Sequence, residues 1–134
     1  MIQFLFAFHN HSLLFLRLVL GAILVFHGIP KLSHLKKTAE AFLGMGFRPP
    51  VFWVLTAGIV EVVGGLALAT GFLTQIFALF IALQFIVIIL KLKLKNGLVS
   101  GYEFDLLILA GAIVLLTSGG GAYGLDEFFG FILY

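Results

Sequence analysis

Four stretches of nearly uninterrupted apolar residues constrain this chain more than any other feature. They run from about Ser12 to Ile29, Val51 to Thr70, residues 74–92 and Tyr102 to Ser118. A helix crossing the bilayer core needs about 20 predominantly apolar residues, and each stretch approaches that length. The runs are continuous and do not alternate with polar residues, so they predict helices and not barrel strands. Composition agrees: 62% of the 134 residues are hydrophobic, 10% are charged, and mean hydropathy is +1.21. Soluble domains carry about 25% charged residues, so this chain has too little charge to cover a water-facing surface. The expected fold is all-α, a single transmembrane domain over residues 1–134 built as an integral membrane four-helix bundle. The first run is not a secretory signal, because it lacks a basic leading region, contains Arg17 and has no small-residue cleavage site.

The connections fit this division. Gly71 to Leu73 predicts a tight turn and an antiparallel pair of helices. The first loop is longer, and Lys31 to Met45 within it predicts a short amphipathic helix. Leu32, Leu35, Ala39 and Phe42 share one face there, at spacings of three and four. Gly44, Gly46, Pro49 and Pro50 then break it. Gly119-Gly120-Gly121 ends the fourth run, and the tail from Leu125 to Tyr134 is too short to span and is expected at the interface.

Basic residues are one-sided. Lys31, Lys36, Lys37 and Arg48 lie in the first loop, and Lys91, Lys93 and Lys95 before the fourth span. The N-terminal segment, the second loop and the tail contain none. Basic loops stay cytoplasmic, so the reading is a multi-pass protein of the cell (inner) membrane. Loops 30–50 and 91–101 are placed inside and both termini outside. The chain has no cysteine, which excludes disulfides and thiolate metal or cluster sites. The lysines form no aromatic-interleaved patch, so nucleic acid is not an expected partner.

Polar residues inside the spans stand out, since a central charge costs about 2.5–3.5 kcal/mol to insert. Arg17 heads a stripe of Gly21, Leu24, Gly28 and Lys31, and it either snorkels to the interface or pairs with a buried acid. Glu61 sits mid-span among Ala57, Gly58, Gly64, Gly65 and Leu68. That groove of small residues admits a neighbouring helix or a flat ligand, and Glu61 is a structural ion-pair partner of Arg17 or a ligand- or proton-handling carboxylate. His27 closes the first helix as a structural group or a relay. Gln84 shares a face with Phe77, Phe80 and Ile88, as interhelical glue or a ligand contact. Glu103 and Asp105 open the fourth helix, where the macrodipole favours acids. Only one of them can face the bundle, and Glu103 is chosen, level with His27 and Lys31. Two clusters follow: Arg17 and Asp126 toward the outer end with Glu61 deeper, and His27, Lys31 and Glu103 toward the inner end. His9 and His11 are a weak metal signal, His34 falls on a different face, and no metal site is assigned. No catalytic set is recognisable.

These elements, taken in order, resemble the DoxX family of small four-helix bacterial and archaeal membrane proteins, over about Leu14 to Phe128. The resemblance rests on Arg17-Leu-Val-Leu-Gly21, on His27-Gly28-x-x-Lys31-Leu32, and on Glu61-Val-Val-Gly64-Gly65 before Gly71-Phe-Leu-Thr. It extends to Glu103 and to Gly119-Gly-Gly121-Ala-Tyr-Gly124-Leu125-Asp126, where Gly124 stands in place of the family's usual serine. A related name belongs to DoxD and DoxA, subunits of a thiosulfate:quinone oxidoreductase, and DoxX-like proteins are described as membrane partners of redox and detoxification enzymes. The resemblance thus implies a subunit or partner of a membrane redox system, with a quinone as the one cofactor it suggests. Whether the chain is itself an enzyme stays open. A site for an apolar ligand in the bundle suits Glu61 and the 16 phenylalanines. The alternatives are a non-enzymatic scaffold anchoring a soluble partner through its basic loops, and a small transporter, which would need the four-helix unit to form a homo-oligomer.

Overall fold

The structure, a computed structural model, describes residues 3–131; the last residues of the expected interfacial tail, 132–134, lie outside them. After a 3-10 stretch over Gln3–Phe8, α1 spans His9–Ser33. The sequence predicts its end at Ile29, ahead of Pro30, but Pro30 lies inside the helix. A proline interrupts a helix by removing one N–H and crowding the preceding turn. Here the final turn is held from outside, by Lys31 on Glu61 and by Leu32 packed on Gly58. His27 is therefore not the last residue of the helix. α2 (Leu35–Gly44) follows at once, with Ala39 buried and Leu35 and Phe42 half-buried against the bundle.

Helix α3 (Pro50–Thr70) begins with proline at its first position, where the missing N–H costs nothing. It ends on Gly71 at φ 71°, a left-handed cap that glycine adopts without strain. α4 (Thr74–Ile88) continues through a π turn (Ile89–Lys93) and a 3-10 turn (Leu94–Asn96). An irregular turn over Leu98–Tyr102 leads into α5 (Glu103–Ser118), and a glycine turn leads to the short α6 (Leu125–Phe129). Among the described residues, four helical stretches are long and apolar enough to cross a membrane: Gln3–Ser33, Pro50–Thr70, Thr74–Asn96 and Leu98–Ser118.

Neighbours run antiparallel around the bundle in the order α1, α3, α4, α5. The tightest seam joins α1 to α3. A Cβ on Gly21 would meet the Gly65 carbonyl at 2.5 Å, and one on Gly65 would meet the Gly21 carbonyl at 2.7 Å. Seven residues along each helix, Gly28 faces Gly58, with its carbonyl 3.0 Å from the same kind of probe. Small residues at such a seam let backbones approach and gain dispersion contacts, which matter in lipid because apolar burial between helices drives little. Leu24, Leu68, Ile81, Ala112 and Leu115 fill the centre. Phenylalanine and leucine cover the outside, as expected of helices in a lipid bilayer.

Substituting Gly65→Val should cost about 1–3 kcal/mol through overpacking and lower the thermal midpoint in mild detergent. Gly44→Ala, with nothing within 4 Å of the added atom, should leave that midpoint nearly unchanged.

Candidate functional site

The glycine seam sets the level at which α1 and α3 side chains meet. Glu61, only 1% exposed, projects from α3 beside Gly28, whose added Cβ would lie 2.9 Å from the Glu61 Cβ. Its Oε1 accepts from the Lys31 ammonium, one turn further along α1, in a close ion pair. The same oxygen accepts from Gln84 Nε2 on α4 at 2.7 Å. The other oxygen, Oε2, is buried and has no hydrogen-bond partner among the described residues. A lone carboxylate is unstable in hydrocarbon, so the lysine and the amide together are what make Glu61 tolerable at this depth.

Two cavities flank this trio. One, of about 260 Å³, lies against α3 and α4 and is walled by Phe47, Trp53, Phe80 and Val87. Lys31 and Gln84 supply its polar end. The other, of about 200 Å³, lies among α1, α4 and α5 and is lined by His27, Glu61, Lys93, Asp105 and Ile108. Lys31 borders both.

Three expectations about these residues need correction. Lys31 is paired with Glu61 and not with Glu103. Glu103 is exposed and accepts the Ser100 backbone N–H at 3.0 Å, a capping role at the start of α5. The acid that faces the bundle is Asp105, buried and bridged to Lys93 at 2.6 Å. The cause is helix rotation: Asp105 shares its face with buried Ile108, Ala112 and Leu115, whereas Glu103 lies on the face of Leu107, which is 71% exposed. Second, Glu61 belongs with Lys31 and not with the Arg17 end, because the antiparallel seam brings Arg17 level with Gly71. Third, among the described residues Arg17 makes no ion pair with an acid. Its side chain is fully buried, and Nη2 donates to the Tyr123 carbonyl at 3.1 Å.

Arg17 fits because its surroundings lack side chains. A Cβ on Gly71, Gly120 or Gly124 would collide with or crowd its Nη1. Asp126 lies near enough to Arg17 to act on its charge, as expected, but makes no direct ion pair with it; its carboxylate caps α4. Its carboxylate accepts the Leu73 N–H at 2.5 Å and the Thr74 N–H at 2.8 Å. That cap holds Leu73 at φ 47°, a left-handed conformation a leucine rarely adopts unaided. Elsewhere, His27 is exposed with its ring against Phe104 at 5.4 Å. His11 meets the Tyr123 hydroxyl at 3.2 Å, and His34 is exposed at the α1–α2 junction. Among the described residues no three His, Asp or Glu side chains gather as a metal site. Sequence reasoning missed Asp105, Lys93 and Trp53 as site residues. The spacing Asp105, Ile108, Ala112, Leu115 carried the signal for the first.

Lys31→Met should destabilise the protein by up to about 3 kcal/mol, because it strands the Glu61 carboxylate; the 24% exposure of the Lys31 side chain pulls the value down. Lys31→Met with Glu61→Leu should cost less than Lys31→Met alone. A double-mutant cycle of unfolding in detergent measures both.

Comparison with known proteins agrees with this architecture. The family model DoxX matches residues 12–94, more than half of the chain. "Putative oxidoreductase CatD" of Bacillus subtilis (strain 168) is 32% identical over 115 residues, covering 86% of this chain and 84% of that protein. "Uncharacterized membrane protein Rv3486" of Mycobacterium tuberculosis (strain ATCC 25618 / H37Rv) is 27% identical over 130 residues, covering 87% and 80%. No solved structure matches significantly. With four helices able to cross a membrane and these relatives, the chain is a multi-pass membrane protein that belongs to the DoxX family.

Proposed function

We propose that this protein is the membrane component of a quinone-linked redox system, and that the quinone ring lodges in the cavity beside Trp53. The observation that carries this reading is the chemistry of that cavity. Its walls are apolar and aromatic, the Thr56 hydroxyl and Trp53 N–H are turned to backbone carbonyls, and Lys31 and Gln84 converge on Glu61 at one end. A quinone ring is flat and apolar with carbonyl acceptors at its edge, so it needs aromatic walls and one or two donors. Lys31 has further N–H groups beyond the one given to Glu61. The relative named as an oxidoreductase supports the redox assignment. The basic loops lie on the cytoplasmic side by their charge, where they suit a soluble enzyme that delivers the electrons. Anchoring such an enzyme without binding quinone is the second reading, and it is favoured by the exposed Lys36 and Lys37 on α2.

Trp53 is the only tryptophan and lines this cavity, so a saturable change in its fluorescence, beyond the linear quenching by quinone in the lipid, reports on the cavity. Titrating nanodisc-embedded protein with a short-chain quinone should quench that fluorescence saturably. Gln84→Leu should weaken the midpoint about tenfold, the value of one hydrogen bond near 1.4 kcal/mol. Ala57→Leu, which fills the cavity, should abolish saturation. Absence of saturable quenching in the wild type would overturn the quinone reading.

A further inference from the structure

The second cavity differs from the first in what lines it. Five polar or charged side chains border it: Lys31 and His27 from α1, Glu61 from α3, Lys93 from the turn after α4, and Asp105 from α5. Met45, which also lines it, and Lys93 belong to the two basic loops, so the cavity reaches that end of the bundle. Its volume of about 200 Å³ exceeds the roughly 30 Å³ of one water; the groups that could hold water are these five, while Phe85, Ile88, Phe104 and Ile108 make much of the remaining wall apolar. The first cavity has one charged side chain in its lining, Lys31, beside Gln84 and Thr56. Glu61 lines the second cavity, and its Oε2 is buried with no hydrogen-bond partner among the described residues. A buried acceptor left without a donor is costly.

We infer that this cavity is an aqueous vestibule through which the Lys31–Glu61 pair exchanges protons with the bath at the basic-loop end. In the exchange a hydronium gives its proton to Glu61 Oε2, leaving water and a neutral carboxyl, and the reverse step returns it. Two ammoniums and two carboxylates balance around the cavity. The lysine that borders both cavities links this exchange to whatever occupies the first. This deepens the quinone reading by giving that site a proton source, but it rests on the ion pair and the cavity, not on quinone binding.

The chain lacks cysteine, so single cysteines can be introduced directly. A small membrane-impermeant methanethiosulfonate, added to one bath of sealed vesicles at a time, should label Ile108→Cys from the same bath that labels the loop reference Lys95→Cys. Leu107→Cys, on the lipid-facing surface one residue away, should be labelled from neither. Phe85→Cys, which lines the second cavity and not the first, serves if Ile108→Cys fails to fold. By infrared difference spectroscopy, a carboxyl band lost in Glu61→Gln should appear when that bath is acidified, and not when the opposite one is. The proposal is overturned if both cavity cysteines stay inert from the loop-side bath, or if the band is indifferent to it. A failed quinone titration would leave both results standing, so the two readings fail separately.

Discussion

Everything at the polar centre of this bundle depends on how closely α1 approaches α3. At Gly21 and Gly65 the two backbones are separated by less than a side chain, and the pairing repeats seven residues on at Gly28 and Gly58. In water such contacts would add little to apolar burial, but in lipid the surroundings are as apolar as the helices, and packing must supply the attraction. The repeat also fixes register. It sets Lys31 within reach of Glu61 and leaves Arg17 level with the α3–α4 turn. A slip by one turn would strand both charges in hydrocarbon.

Each ionisable group in the membrane zone is accommodated by a different device. Glu61 has a lysine and an amide. Asp105 has Lys93, which reaches it from the turn after α4. Arg17 has a carbonyl and a cage of glycine backbone. Asp126 takes two backbone N–H groups at the start of α4. Among the described residues only the first stands between two cavities, one walled by aromatic rings with Lys31 and Gln84 at its edge, the other bordered by two ion pairs and His27 in a largely apolar wall. That asymmetry singles out Glu61 as the place where a ligand and a proton could be handled together.

Much of this was legible in the sequence. Spans are read from length and hydropathy, and the buried positions of Arg17, Glu61 and Gln84 from the rarity of polar residues in such runs. The pairing was not legible. Glu103 and Asp105 each head an apolar stripe, because lipid and core ask for the same residues, and periodicity that separates inside from outside in soluble helices is nearly silent here. The end of α1 is not set by its local sequence, because proline's preference is outweighed by contacts of Lys31 and Leu32 with a helix some thirty residues away. The Lys31–Glu61 pair depends on the α1–α3 register, which the glycines suggest but do not fix without knowing which helices meet.

The central claim is that Glu61 is held by Lys31 inside the bundle, between the two cavities. Solid-state NMR of lipid-embedded protein, with labelled lysine Nζ and glutamate Cδ, tests it most directly. The account predicts one strong through-space coupling between a lysine nitrogen and a glutamate carboxyl carbon, removed by either Lys31→Met or Glu61→Gln. A spectrum with no such coupling, or one that survives Glu61→Gln, would contradict it.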